Sequence, residues 1–121
     1  MSTRPDDLSA EDAKLVTLAR GARGRVAAAE GAAVRDETGR TYSGATVRLD
    51  HLQISAVQLA VAQAVAAGAR SLEAVVLVTA AAAISQEDSA AVADLGGAPM
   101  LLVDPSGKTW AWAGEPGGSS G

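Results

Sequence analysis

Apolar residues fall at helical spacing early in the chain, with Leu15, Leu18, Ala19 and Ala22 on one face. Ahead of them Ser9-Ala10-Glu11-Asp12 offers a serine N-cap with acids in the first turn. The helix this predicts is weakened near its end by Gly21 and Gly24. Residues 31–35 read as a short strand, 36–40 as a turn with Gly39 available for positive φ, and 41–48 as the return strand of a hairpin. From about Leu52 to Ala67 the chain is apolar nearly all round, with only Gln58 and Gln63 as polar interior positions. That pattern predicts a helix buried on several sides. The run 72–78 is a buried strand, and the alanines at 80–83 a linker or strand extension. Ser85-Gln86-Glu87-Asp88 then caps a helix ending near Leu95, with Gly96 and Gly97 behind it. A second buried strand at 99–103, a turn at 104–107 and an alternating edge strand at 108–113 follow.

The order is helix, hairpin, helix, strand, helix, strand, strand. The strand–helix–strand unit predicts a parallel pair with a right-handed crossover. The fold class is therefore α/β: three layers, with a mixed sheet of about five strands and helices on both faces. Residues 8–113 form the domain, 1–7 a flexible arm, and the Gly/Ser-rich 114–121 a flexible tail.

Composition sharpens this picture. Of 121 residues 48% are hydrophobic, yet the aromatics are only Tyr42, Trp110 and Trp112. A core of alanine and branched aliphatics removes little area per residue, so a domain this small gains from self-association. The net charge is −4, and after Arg70 six acids face the single Lys108. That balance argues against nucleic acid and against an anionic membrane surface as partners. No run is long and apolar enough to span a bilayer, and the first residues lack a hydrophobic signal core. Together with the absence of cysteine, this predicts a cytoplasmic protein.

Candidate chemistry is sparse. His51 is the only histidine. With Asp50, Glu87 and Asp88 it could form a carboxylate-rich metal site, or simply face solvent beside a helix start. Serine hydrolysis at Ser55 would need His51 one helical turn earlier, and no nucleophile-elbow pattern surrounds Ser55. Arg20, Arg23 and Arg25 either bind phosphate or complement the end of the first helix. Trp110 and Trp112 share one face, as a partner patch or as cover over the core edge. Gly31, Gly39 and Gly44 form no phosphate-cradling motif.

Residues 54–68 carry a further signal. Ala56, Ala60, Val61, Ala64, Val65 and Gly68 fit, in register, the helix Cys-Ala-Glu-Arg-x-Ala-(Ile/Val)-x-x-Ala-Val-x-x-Gly of the cytidine deaminase family. Other stretches resemble that family in order and spacing: Leu8 to Asp12 its opening, Gly31-Ala32-Ala33 its Val-Gly-Ala-Ala strand, residues 44–49 its Gly-x-Asn-Val-Glu-Asn, and residues 103–107 its Val-Asn-Pro-Asp-Gly turn. The resemblance spans residues 8 to 112 and implies the same three-layer fold.

It also implies what is missing. Family members hold zinc with a Cys or His on this helix and a Pro-Cys-x-x-Cys turn on the next, and a Glu shuttles protons. Ser55 stands at the first ligand position and Val57 at the Glu. Residues 84–88 offer no thiol, with Asp88 as the vestigial position there. The ribose-binding Asn and Glu of the family fall on Thr46 and Arg48. The resemblance thus implies a zinc-free pseudoenzyme with no metal and no cofactor. It would serve as a structural, regulatory or interaction subunit, homo-oligomeric (tetrameric in the family) and possible partner to a true deaminase paralogue. Two alternatives stand beside it: a binding protein for a nucleoside-like or anionic small molecule, and an active cytidine deaminase, a hydrolase, as the family alone suggests. Where the family brings two helix N-termini onto zinc, Ser55, Ser85, Glu87 and Asp88 are expected to form a polar cluster instead, with Arg48 paired to Glu87 or Asp88.

Overall fold

The computed structural model describes residues 8–108 and 110–113, with the Trp110 side chain excepted. The arm at 1–7, the tail at 114–121 and the outlook of Trp110 lie outside these residues. The elements are α1 (Ala10–Val26), β1 (Gly31–Asp36), β2 (Thr41–Ala45), β3 (Val47–Arg48), β4 (Gln53–Ile54), α2 (Ala56–Ala66), β5 (Leu72–Val78), α3 (Gln86–Ala93), β6 (Met100–Val103) and β7 (Trp110–Ala113).

Five strands form one mixed sheet in the order β2-β1-β5-β6-β7. Only β5 and β6 run parallel, as the intervening helix requires. Central β5 is covered on both faces, which is why its sequence is a continuous aliphatic run. Val75 and Leu77 pack on one side with Ala56, Val57, Ala60, Val61 and Ala64 of α2. Ala74, Val76 and Val78 pack on the other with Leu15 and Ala19 of α1. The three-layer α/β architecture is therefore observed.

Small residues let the layers approach. A Cβ on Gly31 would collide with the Ala19 carbonyl oxygen and the Arg23 Cβ, so α1 lies against β1 only because residue 31 has no side chain. Arg35 on β1 ties α1 to the sheet by ion pairs with Asp12 at 3.2 Å and Glu73 at 2.9 Å. At the hairpin turn Asp36 is 2% exposed. Its carboxylate accepts from the Thr38 amide at 2.9 Å, the Thr38 hydroxyl at 2.7 Å, the Arg40 amide at 3.0 Å and the Tyr42 hydroxyl at 3.1 Å. Burial would raise its pKa, but these donors stabilise the charged form and hold it below the usual carboxylate value.

Three expectations need correction. The return strand does not run unbroken to residue 48. It stops at Ala45, where the Thr46 amide and hydroxyl turn back onto the Glu30 carbonyl. The chain then leaves the sheet and makes a second small hairpin, β3 with β4. Consequently the helix starts not near Leu52 but at Ala56, with Ser55 as N-cap. Its burial is also one-sided in the single chain: Ala62, Gln63, Val65 and Ala66 are exposed. Uniform apolarity reported a helix but not which face was covered.

Candidate functional site

Two helix starts meet beside the small hairpin. Ser55 caps α2: its Oγ accepts from the Gln58 amide at 3.0 Å, and its own amide donates to Gln58 Oε1 at 3.1 Å, a reciprocal capping box. Ser85 caps α3, its Oγ accepting from the Asp88 amide at 3.1 Å. The Ser55 hydroxyl also donates to Asp88 Oδ1 at 2.5 Å and so links the two helix ends. Asp88, only 3% exposed, sets a carboxylate among amides that carry partial positive charge.

Above this link lies an open hollow of about 460 Å³, walled by Thr46 and Arg48 from the hairpin side, by Ser55 and Gln58 from α2, and by Glu87 and Asp88 from α3. Glu30 completes the wall. Three carboxylates face one guanidinium here, so the hollow carries a negative balance.

The expected polar cluster is present in part. Ser55, Ser85 and Asp88 are joined as described. Arg48 is not paired: among the described residues it makes no ion pair with Glu87 or Asp88, though it shares the hollow with both. The physical reason is that Asp88 is buried and already satisfied in part by Ser55, while Arg48 and Glu87 are exposed and each gains more from water than from a fixed contact. Val57, in the first turn of α2, is fully buried in the core and is not part of the hollow's wall. Thr46 is held to Glu30 by three hydrogen bonds: its amide donates to the Glu30 carbonyl at 3.1 Å, and its hydroxyl accepts from the Glu30 amide at 3.1 Å and donates to the same carbonyl at 3.3 Å.

His51 sits exposed in the turn between β3 and β4, five residues ahead of the first helical residue, Ala56. It cannot serve Ser55 from one helical turn away, because no helix joins them. Arg23 and Arg25 stand in the last turn of α1, where Arg23 Nε donates to the Ala29 carbonyl at 3.4 Å, whereas Arg20 lies earlier in the helix with its guanidinium beside Gly107.

Sequence reasoning missed Glu30 and Thr79. Thr79, 4% exposed, donates from its hydroxyl to Glu30 Oε2 at 2.6 Å and accepts from the Ala81 amide at 3.0 Å. The available signal was an acid closing an alanine run just before a buried strand, a position with no obvious solvent-facing excuse.

The fold and this junction of helix ends define a deaminase-type α/β/α domain. The family model described as Cytidine deaminase-like matches residues 8–107, and the chain belongs to that family. The structure is similar to the crystal structure of cytidine deaminase from Burkholderia pseudomallei, with a TM-score of 0.68 and 20% sequence identity over 86% of this chain and 92% of that one. No match to a curated protein sequence was found.

The zinc that this family implies can be tested on the donors present. A catalytic zinc takes three protein ligands, usually imidazole, thiolate or carboxylate. Among the described residues no group of three or more His, Cys, Asp or Glu side chains is placed to hold a metal ion. At the helix junction the donors are a serine hydroxyl and one carboxylate, already bonded to each other. This set does not fit zinc. Nor, among the described residues, is any helix long and apolar enough to cross a membrane.

Proposed function

We propose that this domain keeps the deaminase scaffold but does not perform zinc-dependent deamination, and acts as a structural, regulatory or interaction subunit within a homo-oligomer. One observation carries the reading: the 2.5 Å hydrogen bond from Ser55 to Asp88 occupies the junction of two helix starts with a self-satisfied polar pair. Removing a metal would otherwise leave unpaired amides and uncompensated dipoles there. Val57, sealed in the core, supports the same conclusion, since a proton carrier must reach its substrate. A catalytically complete paralogue is a natural partner for such a subunit.

The test is metal and turnover together. Protein incubated with excess zinc and then dialysed is expected to retain none in stoichiometric amount and to release no ammonia from cytidine above background. Retained zinc with turnover would overturn the proposal and restore the hydrolase reading.

A second reading has its own support. The hollow of about 460 Å³ stays open and polar above the helix junction. A vestigial site kept only for packing would be expected to fill with apolar side chains. Small-molecule binding there is compatible with a regulatory role.

A further inference from the structure

We infer, resting on the homo-oligomer reading, that the outer edge of β7 is the surface on which a second copy of this chain docks, strand against strand. The sheet has two outer strands, β2 and β7, and the chain treats them differently. At β2 the outward-pointing Ser43 carbonyl accepts from Gln63 Nε2 of α2 at 2.6 Å, so a side chain already occupies that edge. At β7, among the described residues, no strand or side chain plays that part.

Backbone alternation fixes which groups of β7 are open. The Val75 amide donates to the Pro99 carbonyl and the Thr79 amide to the Val103 carbonyl, so the odd-numbered residues of β6 turn their backbone groups toward β5. Met100 and Leu102 therefore turn theirs toward β7, where they stand opposite Ala113 and Ala111. The backbone N–H and C=O groups of Trp110 and Trp112 are left pointing away from the sheet. Such a row of open groups is a template for another strand. The partly exposed Trp112, packed against the α1 side of the core, gains cover from the same contact.

Self-complementarity points to a second β7 as the occupant. A two-fold axis at Ala111 sets Trp110 opposite the partner's Trp112, and Trp112 opposite the partner's Trp110, so the open backbone groups of each strand meet those of the other. Charge selects the same direction. Lys108 precedes the strand and Glu115 follows it. Antiparallel pairing brings the start of each strand to the end of the other, so a base approaches an acid at both ends. Parallel pairing would set like charges together. Lys108 is also the only basic residue after Arg70, so this is the stretch of an acidic half on which a copy of itself can approach.

The chain has no cysteine, so the contact can be trapped with one introduced thiol. Ala111→Cys puts that thiol on the axis, in a pair without hydrogen bonds whose Cα atoms lie about 4.5 Å apart, within disulfide range. Mild oxidation of the full chain is expected to give a disulfide-linked dimer from Ala111→Cys and none from Thr41→Cys on exposed β2. Equal cross-linking at both positions would be random collision and would overturn the inference. Glu115→Lys sets like charges at both ends and should weaken association severalfold in sedimentation velocity. Adding Lys108→Glu should restore it, a rescue that a damaged fold would not give. A wild-type oligomer with no Ala111→Cys dimer would overturn the edge contact and leave the homo-oligomer reading standing. A wild type that sediments as a single chain would overturn both, leaving the edge to the chain's own tail or to a foreign strand.

Discussion

At the scale of single residues the decisive group is the Ser55 hydroxyl. It accepts from the Gln58 amide, donates to Asp88 and caps α2. Ser55→Ala removes a cap and leaves a carboxylate at 3% exposure without its donor. A loss of about 2 kcal/mol in urea unfolding is expected. Combining it with Asp88→Asn should cost less than the sum of the two, because both changes break one bond. Full additivity would show that the pair is not coupled. Asp36 offers a separate test through pH. Its folded pKa lies below the ordinary value because four donors hold the charged form against the effect of burial. The stability it contributes is therefore complete above the unfolded value, about pH 4, and is lost as pH falls toward the lower folded value. Asp36→Asn should give a protein whose thermal midpoint declines less steeply below pH 4 than that of the wild type.

At the scale of elements, α2 offers a test of the proposed loss of deamination. Val57 packs at zero exposure between α2 and the sheet. Val57→Glu would place a carboxylate in that aliphatic layer without a partner. A loss of about 3 kcal/mol or more is expected in denaturant unfolding, with no gain of deamination. The start of α2 was misjudged from sequence for a related reason. Leu52 and Ile54 extend an apolar pattern that suits a helix or a strand equally well, and periodicity cannot separate the two over so short a run. The decision fell to Ser55, whose cap geometry begins the helix after the β3–β4 hairpin has closed through the Leu49 amide and the Leu52 carbonyl. The caps at Ser9 and Ser85, by contrast, were legible, because there the serine stands directly before acids in the first turn.

At the scale of the whole molecule, the exposed side of α2 links the fold to assembly. Val65 is 50% exposed on a helix whose outer positions are otherwise alanine and glutamine. Small side chains allow two helices to pack closely, which suits the proposed homo-oligomer. Sedimentation velocity should report more than one chain per particle, and Val65→Glu should shift the population toward the single chain with little change in far-ultraviolet circular dichroism. A wild type that sediments as one chain would remove oligomerisation from the proposal.

Local pattern and capping were enough for the elements, because each depends on neighbours a few residues away. Serines before acids began helices, aliphatic runs made the buried strands, and the strand–helix–strand order imposed the parallel pair. Ser55, Asp88, Thr46 and Arg48 were all recognisable as wall positions through the family pattern. Their relations were not. Ser55 and Asp88 are separated by two elements, and their bond exists only because α2 and α3 start at the same place. Glu30 entered the site because the strand break at Thr46 turned the chain back on it. Arg48 was left unpaired because solvation outweighed a contact that charge alone would have favoured. Which groups share a hollow, and which of their protons are already spent, are properties of long-range packing, and only the tertiary structure could decide them.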